Sequence, residues 1–258
     1  MEKAHCGHNL HIHVKNEEKP TECAVIRKAT CVPAPSPSSV GRERKESLSD
    51  ILLQMKFQHV SHLVKQRLEE FQLVHHHHSD SEWFSELCFC ILTANSSAQM
   101  SLKVQEALGD KFATLSQQEL AGELRKLGYR FYNKRAEYIF EARRHAPGFR
   151  GRILKLAEEG GTKNAREWLV ENVKGIGYKE ASHFLRNVGY KDVAILDRHI
   201  LRTLHENGLI HEMPKSGLDR STYLKYENLM RIMGFRVKMN LAALDLYLWY
   251  MQTGKVLK

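Results

Sequence analysis

Residues 167–185 read EWLVENVKGIGYKEASHFL, and this stretch decides the fold. Apolar residues recur at helical intervals on both sides of the glycine-rich segment 175–177, which predicts a helix, a tight turn and a second helix that begins near Tyr178. Glycine leaves backbone N–H groups uncovered, and the N-terminus of a helix attracts anions. The stretch therefore predicts a helical hairpin that binds a phosphate group through the backbone of Gly175 and Gly177.

Two ionisable residues stand at the starts of successive predicted helices. Lys179 falls in the first turn of the second hairpin helix, where the helix dipole and partial burial favour the neutral amine that a nucleophile requires. The alternative role for this lysine is a surface contact with phosphate. Asp197 follows an apolar run at 193–196 and begins the next helix, a position typical of an N-cap. A capping carboxylate is also rigidly placed, so Asp197 is a second candidate catalytic residue.

The rest of the chain from Leu48 onward shows helical periodicity, and strand signals are scarce. After a helical region at 48–71, the predicted helices cover about 82–93, 98–108, 116–128, 133–144, 150–159, 164–173, 178–187, 197–207, 221–233 and 240–253. Ser116 and Glu119 form the capping-box pattern at the start of one of them. Four consecutive histidines at 75–78 are interpreted as a solvated loop. The sequence therefore predicts an all-α fold.

The first 47 residues differ from the rest of the chain. They contain three of the five cysteines, four histidines and the segment VPAPSPSS at 32–39, and they show no helical or strand period. This composition predicts a disordered tail over 1–47 and a folded domain over 48–258. The cysteines and histidines lack the paired spacing of a zinc site, so no metal site is expected.

The composition narrows the class of partner. Lysine and arginine number 39 against 30 aspartates and glutamates, which gives a formal net charge of +9 and favours DNA, RNA or an anionic membrane. No apolar run reaches the roughly 18 residues of a membrane span, and the N-terminus has no secretion signal. An odd number of cysteines without that signal favours a reducing compartment. We therefore expect an intracellular protein without membrane association, in the cytoplasm and nucleoid or in a eukaryotic nucleus.

The hairpin and the downstream aspartate together resemble a known family. The segments GIGYK at 175–179 and LDRH at 196–199, in which Asp197 follows Lys179 by 18 positions, are similar to the signature of the helix-hairpin-helix DNA glycosylase superfamily. The wider resemblance, to the archaeal-type 8-oxoguanine DNA glycosylase/AP lyase, lies in CFCILTAN at 88–95, YI at 138–139 and LYLWY at 246–250. It covers about residues 48–258.

The resemblance implies a two-lobed helical glycosylase fold, with the active site between the lobes and a role in base excision repair. A damaged purine, 8-oxoguanine, leaves the duplex and enters the site. Lys179 displaces the base at the sugar C1′ and forms a Schiff base, after which β-elimination cuts the strand. Asp197 stabilises the positive charge that develops on the sugar. A monomer acting on double-stranded DNA, without a metal or redox cofactor, is also implied.

Further DNA and base contacts carry over from the resemblance. Asn95 lies in the loop that enters the gap left by the base, with a local turn as its alternative role. His199 contacts the phosphate of the target nucleotide, with a solvated helix position as the alternative. Phe131 and Trp249 hold the extruded base by stacking. Trp249 is also compatible with a place in the core.

Two of these contacts depend on further details of the sequence. Tyr129 and Tyr132 are alternatives to Phe131 in the same segment. The sequence closes on Lys258, and in the family the carboxylate of a terminal lysine reads the altered base. Since 8-oxoguanine has an N7–H donor where guanine has an acceptor, an acceptor aimed at that edge would distinguish the two bases.

Other functions remain open at the level of sequence. A non-catalytic helix-hairpin-helix module that grips DNA would not need Lys179 and Asp197 together. The same chemistry on another damaged base would need both. A metal enzyme built on the histidines lacks a ligand set such as His-Glu-x-x-His. No cysteine follows Cys90, so the four-cysteine iron–sulfur cluster of other superfamily members is not expected.

Overall fold

The computed structural model describes residues 46–258, and this part of the chain consists of helices and connecting loops without a β-strand. Its α-helices are α1 (Leu48–Met55), α2 (Val60–His77), α3 (Asp80–Thr93), α4 (Ala98–Leu108), α5 (Gln117–Lys126), α6 (Tyr132–Ala142), α7 (Phe149–Asn172), α8 (Tyr178–Asn187), α9 (Arg198–Glu206), α10 (Arg220–Val237) and α11 (Leu241–Thr253). Two short 3-10 helices, Gly109–Ala113 and Arg143–His145, follow α4 and α6. The prediction of an all-α fold is confirmed.

Serine side chains define the starts of several helices. Ser116 Oγ accepts a hydrogen bond from the Glu119 N–H at 3.2 Å, and Glu119 Oε2 accepts one from the Ser116 N–H at 2.8 Å. This is the capping box that the sequence predicts before α5. Ser79 and Glu82 make the same pair before α3, with 2.7 Å between Ser79 N and Glu82 Oε2. Because such caps involve residues three positions apart, they can be recognised in the sequence.

Two hydrophobic cores lie within the described part of the chain. The first is built from α3 to α8 and contains the fully buried side chains of Trp83, Phe89 and Phe184. The second is built from α1, α2 and α9 to α11, around Leu52 and Tyr223. Full burial of side chains of this size stabilises a fold by roughly 1.5–3 kcal/mol each. The described helices therefore pack around two separate cores.

Helix α7 comprises two helical segments that meet at a kink, in the region where the sequence predicts two helices, at 150–159 and 164–173. The backbone leaves helical geometry at Gly160 and Gly161, and Gly161 has a φ of 72°. A left-handed backbone is strained for residues with a side chain, so glycine permits the change of direction. The predicted break between the two helices is thus present, at Gly160 and Gly161.

The histidine run differs from its predicted loop. Residues 75–77 form the last turn of α2, and the His75 ring Nδ1 lies 2.8 Å from the carbonyl O of Val188. The ring also meets Tyr190 edge-on, with 5.2 Å between the ring centroids. The interpretation as a solvated loop is therefore wrong, because His75 packs against the end of α8, while the next two histidines are exposed.

Several sequence expectations concern the chain ends, membranes and metals. The predicted tail over 1–47 lies outside the described residues apart from Glu46 and Ser47, and the Ser47 side chain caps α1. Among residues 46–258, no helix is both long and apolar enough to span a membrane.

The same residues contain no group of three His, Cys, Asp or Glu side chains arranged for a metal ion. Cys88 and Cys90 are buried free thiols in α3, as predicted.

Candidate active site

The turn between α7 and α8 has a backbone that requires glycine at its first position. Gly175 has a φ of 84°, in the left-handed region. A Cβ atom on Gly175 would overlap with the ring of Tyr138, which packs on the turn. Ile176 follows and is buried in the first core. The turn therefore connects the two helices through one left-handed residue and one apolar contact.

Two backbone N–H groups of this turn already donate hydrogen bonds within the protein, whereas the sequence predicts that they are uncovered. The Gly177 N–H donates to Glu180 Oε2 at 3.3 Å, and the Ile176 N–H donates to the carbonyl of Val173 at 3.2 Å. The expectation of uncovered N–H groups is therefore wrong for these two residues. Glu180 occupies the place of an anion at the start of α8, because the N-cap glycine has no side chain of its own.

Lys179 lies in the first turn of α8, directly before this glutamate. Its Nζ donates a hydrogen bond to Glu180 Oε1 at 3.3 Å, and 29% of its side chain is exposed. The Glu180 side chain is less exposed, at 13%. One carboxylate therefore contacts both the hairpin backbone and the amine, through separate oxygen atoms. Sequence reasoning missed Glu180, although a glutamate at the third helical position is a capping signal.

Asp197 is the N-cap of α9, as the sequence predicts. Its Oδ1 accepts a hydrogen bond from the Ile200 N–H at 2.9 Å, and the residue is partly buried. This bond fixes the orientation of the carboxylate relative to its helix, since rotation of the side chain would break it. Asp197 therefore presents a negative charge in one defined place.

Lys179 and Asp197 line a single cleft, which has a volume of about 1320 Å³ and is lined by residues from the elements of both cores. Six further predicted site residues line the same cleft: Asn95, Phe131, Gly177, His199, Trp249 and Lys258. Gly175 does not line it, and its backbone packs on Tyr138 instead. The cleft thus brings together eight of the nine residues that the sequence and the resemblance single out.

The two aromatic residues assigned to the base by the resemblance, Phe131 and Trp249, both line this cleft. Phe131 directly precedes α6 and is partly buried, with the guanidinium carbon of Arg130 4.3 Å from its ring centroid. Trp249, on α11, meets the His199 ring edge-on, with the centroids 6.1 Å apart. Flat apolar rings bind planar aromatic groups by stacking, so the cleft is suited to a nucleobase.

The neighbouring tyrosines occupy other places. Tyr129 is buried, and its hydroxyl donates to the carbonyl of Leu92 at 2.6 Å. Tyr132 packs on the first core and does not line the cleft. Among these three aromatic residues, Phe131 is therefore the one that a ligand in the cleft can reach.

Asn95 lies in the loop between α3 and α4, exposed at the edge of the cleft. Its φ is 60°, a left-handed conformation that asparagine tolerates better than most other residues with a side chain. This backbone agrees with the local turn that the sequence offers as one role. The exposed side chain is also free to contact a ligand, so both roles are compatible with the geometry.

Buried ionisable residues that sequence reasoning missed also line the cleft. Arg186 of α8 forms an ion pair with Asp245 of α11, and both are almost fully buried. Burial raises the pKa of Asp245 to about 6, with Arg186 acting against this shift and the charge of Asp197 adding to it. Burial also holds the pKa of the His183 ring well below its ordinary value, so the ring is neutral at pH 7. An aspartate within the apolar run of α11 is the sequence signal for this pair.

The last described residue is tied to the first core. Lys258 Nζ donates to Glu86 Oε1 at 2.5 Å, and Glu86 lies in α3 with 8% of its surface exposed. The Lys258 ammonium also lies 4.9 Å from the ring centroid of Phe89. Nearby, neither ring nitrogen of His183 has a hydrogen-bond partner among the residues described. Lys258 is thus an anchored part of the cleft, and its partner Glu86 was not identified from the sequence.

Comparison with known proteins links this site to a family. The family model described as 8-oxoguanine DNA glycosylase matches residues 64–239. An 8-oxoguanine DNA glycosylase/AP lyase of Methanocaldococcus jannaschii is 52% identical over 206 residues, which cover 80% of this chain and 96% of that protein. A protein of the same name from Korarchaeum cryptofilum is 48% identical over 213 residues, covering 83% of this chain and 99% of that protein.

A solved structure has the same fold. The 8-oxoguanine glycosylase/lyase of M. jannaschii, in complex with 15-mer DNA containing 8-oxoguanine, matches this chain with a TM-score of 0.77 and 50% identity. The match covers 82% of this chain and 99% of that one. It confirms the helix-hairpin-helix glycosylase fold and the resemblance drawn from the motifs. This chain belongs to the 8-oxoguanine DNA glycosylase family.

Proposed function

We propose that this protein is a bifunctional DNA glycosylase/AP lyase of base excision repair, which excises 8-oxoguanine and then cuts the strand. The observation that carries the proposal is the occurrence of Lys179 and Asp197 at the starts of two helices that open on one cleft. The relatives from M. jannaschii and K. cryptofilum bear the name of this activity. The M. jannaschii protein was crystallised with DNA that contains 8-oxoguanine.

The first chemical step is displacement of the base. Lys179 Nζ attacks C1′ of the extruded nucleotide, so that an N–C1′ bond forms while the C1′–N9 bond breaks and its electron pair leaves with the base. Glu180, 3.3 Å from Nζ in the free protein, accepts the proton that the amine loses. Asp197 stabilises the positive charge that develops on the sugar, and its bond to the Ile200 N–H keeps it oriented for that role.

The second step cuts the strand. Opening of the sugar ring converts the N–C1′ bond into a Schiff base, which makes the C2′ protons acidic. Water takes up one C2′ proton, a C2′–C3′ double bond forms, and the C3′–O bond breaks so that its electron pair leaves with the 3′ phosphate. Hydrolysis of the Schiff base then frees the lysine. Each step uses side chains of this chain and water, so we expect activity without an added metal or redox cofactor.

Other cleft residues hold the base and the DNA in this proposal. Phe131 and Trp249, which both line the cleft, stack on the extruded base. Asn95, exposed on its loop, enters the gap that the base leaves in the duplex. His199, whose ring lies beside Trp249, contacts the phosphate of the target nucleotide.

The hairpin supplies the proposed contact with the DNA backbone. Gly175 and Gly177 approach a phosphate at the N-terminal end of α8, where the helix dipole is positive. In the free protein Glu180 accepts the Gly177 N–H, so a phosphate reaches this amide only when the glutamate turns away. Lys258, which lines the same cleft, reads the base, with its main-chain oxygen accepting the N7–H that distinguishes 8-oxoguanine from guanine.

The proposal extends to the partner and the setting. Double-stranded DNA with an oxidised guanine is the substrate, and the net charge of +9 supports binding to such a polyanion. We propose a monomer, because one chain supplies every residue assigned above to the cleft. We place it in an intracellular compartment with access to DNA, either the cytoplasm and nucleoid or a eukaryotic nucleus.

Borohydride trapping on a duplex with one 8-oxoguanine tests the proposal. Borohydride reduces the Schiff base to a stable bond, so the intact protein should yield a covalent protein–DNA adduct and Lys179→Gln should yield none. Lys155→Gln is the matched control, because Lys155 is an exposed lysine of α7 that pairs with Glu159 and does not line the cleft. We expect this control to trap DNA at the level of the intact protein.

Two outcomes would count against the proposal. An adduct that persists in Lys179→Gln would assign the nucleophile to another residue. DNA binding by the intact protein without an adduct and without strand cleavage would favour another damaged base as substrate, or a non-catalytic binding module.

A further inference from the structure

A buried carboxylate outside the catalytic pair collects polar partners from distant parts of the chain. Glu86 Oε1, in α3, accepts hydrogen bonds from Lys258 Nζ at 2.5 Å and from Gln105 Nε2 at 3.0 Å. Its Oε2 accepts one from Asn187 Nδ2 at 3.2 Å. The carboxylate therefore joins α3, α4, α8 and the residues that follow α11.

Stability alone does not account for a glutamate at this position. Glu86 is one of the buried residues of α3 and directly precedes Leu87, in surroundings where a charge without partners is strongly unfavourable. Replacement of a buried ion pair by apolar side chains often leaves stability unchanged or higher. What the pair with Lys258 provides is a defined distance between two side chains that are far apart in sequence.

The residues held by this pair have little regular structure. Helix α11 ends at Thr253, its C-cap Gly254 has a φ of 68°, and residues 255–258 continue without a helix. Leu257 and Lys258 both line the cleft. The Lys258 ammonium is held by Glu86 on one side and by the Phe89 ring on another. Fixing the ammonium also restricts where the Lys258 main chain lies relative to a ligand in the cleft.

We propose that Glu86 is a positioning residue for base selectivity, which anchors the Lys258 ammonium so that the Lys258 main chain keeps its place against the base. This inference rests on the proposed excision of 8-oxoguanine. 8-Oxoguanine has an N7–H donor where guanine has an acceptor. Discrimination between these two bases therefore requires an acceptor that is held at a fixed position opposite N7. Without the anchor, Lys258 swings away and both the rate of excision and the selectivity fall. Attack on an abasic sugar, which carries no base, is spared.

Glu86→Gln tests the inference because it removes the charge and keeps the shape of the side chain. Single-turnover assays would use three duplexes, which contain 8-oxoguanine, undamaged guanine or an abasic site. We expect about a tenfold loss of 8-oxoguanine excision, as for a lost hydrogen bond to a charged group, and a similar loss of selectivity over guanine. Cleavage at the abasic site should stay close to that of the intact protein.

Glu227→Gln is the matched control for a purely structural role. Glu227 is also a buried glutamate in an ion pair, with Arg166, and neither residue lines the cleft. Its replacement should reduce excision and abasic cleavage in parallel. Lys258→Gln removes the other half of the tested pair, and the double variant with Glu86→Gln should be no worse at excision than the more impaired single variant.

The outcomes separate this inference from the proposed function. Unchanged excision and selectivity in Glu86→Gln would overturn the inference and leave the proposed function intact. A parallel fall of excision and abasic cleavage, as in Glu227→Gln, would make Glu86 structural and overturn it too. If Glu86→Gln does not fold, Lys258→Gln tests the same ion pair. Unchanged excision and selectivity in Lys258→Gln would then overturn the inference. No excision of 8-oxoguanine by the intact protein would contradict the proposed function itself.

Discussion

Helices α8 and α9 both begin at the cleft, yet their first turns are capped in opposite ways. The N-cap of α9 is Asp197, whose own side chain accepts the Ile200 N–H at 2.9 Å. The N-cap of α8 is Gly177, which has no side chain, so Glu180 reaches back to the Gly177 N–H at 3.3 Å. In α9 the cap is itself the candidate catalytic residue, whereas in α8 the cap is completed by the neighbour of Lys179.

This difference separates a fixed group from a movable one. A carboxylate bound to its own helix is preorganised to stabilise charge, which is how electrostatic catalysis acts. A lysine that attacks a sugar carbon has to extend from its helix. Lys179 has a flexible side chain, and its ammonium donates a hydrogen bond to Glu180 at 3.3 Å. The start of α9 therefore suits charge stabilisation, and the start of α8 suits nucleophilic attack.

Asp197→Asn tests the fixed group and carries the largest expected effect. Asparagine caps helices as well as aspartate does, so the start of α9 should persist while the negative charge is lost. Loss of one preorganised electrostatic group lowers a rate by about 10²–10³. We expect a fall of this size in the single-turnover excision of 8-oxoguanine.

The matched control for this variant is another helix cap. Asp219 caps α10 through a 2.8 Å bond from the Thr222 N–H, and it does not line the cleft. Asp219→Asn should therefore leave excision unchanged. If Asp197→Asn were as active as Asp219→Asn, the carboxylate of α9 would be a cap without a part in the chemistry.

Gly175→Ala strains the turn that leads into α8 and leaves α9 untouched. A φ of 84° costs a residue with a Cβ about 1–2 kcal/mol, and overlap with Tyr138 adds about 1–3 kcal/mol. We expect the free energy of unfolding, measured by urea denaturation, to fall by about 3 kcal/mol. Gly128→Ala, at the same φ of 84° but with open space around it, isolates the backbone contribution. Equal losses in the two variants would show that Tyr138 does not restrict the turn.

Glu180→Gln tests whether the Glu180 carboxylate accepts the proton of the Lys179 amine in addition to capping α8. Glutamine still accepts the Gly177 N–H, but it does not take up the proton that Lys179 loses. A hydrogen bond to a charged group contributes about 1.5 kcal/mol, which corresponds to about a tenfold change in rate. We expect adduct formation to slow by that factor in the borohydride trapping assay. An unchanged or faster rate would show that Glu180 only restrains the amine.

The two helix starts can be predicted from the sequence because they are local. A glycine-rich turn, a lysine in the following first turn and an aspartate after an apolar run all lie within residues 167–199. Their placement follows from preferences that act over a few residues. The resemblance extends the prediction to Phe131 and Trp249, which line the same cleft in the structure.

Contacts between distant segments could not be predicted in this way. Lys258 and Glu86 are 172 positions apart, and His75 meets Val188 across 113 positions. Local spacing does not pair such residues, because the packing of the helices decides which of them meet. A charged residue within an apolar helix is still visible in the sequence, as at Glu86 and Asp245, and it marks a position that requires a buried partner.

The smallest expected effect separates the two roles of Asp197. Alanine removes both the cap and the charge, whereas asparagine removes the charge alone, so the two variants should be equally poor in excision but differ in stability. Loss of an N-cap side chain costs about 1 kcal/mol, and urea denaturation should show Asp197→Ala to be less stable than Asp197→Asn by that amount. Equal stabilities would mean that the 2.9 Å bond to Ile200 contributes nothing to α9. The hydrogen bond to α9 would then not be what fixes the Asp197 carboxylate. Only burial would distinguish this carboxylate from the more mobile Lys179 amine of α8.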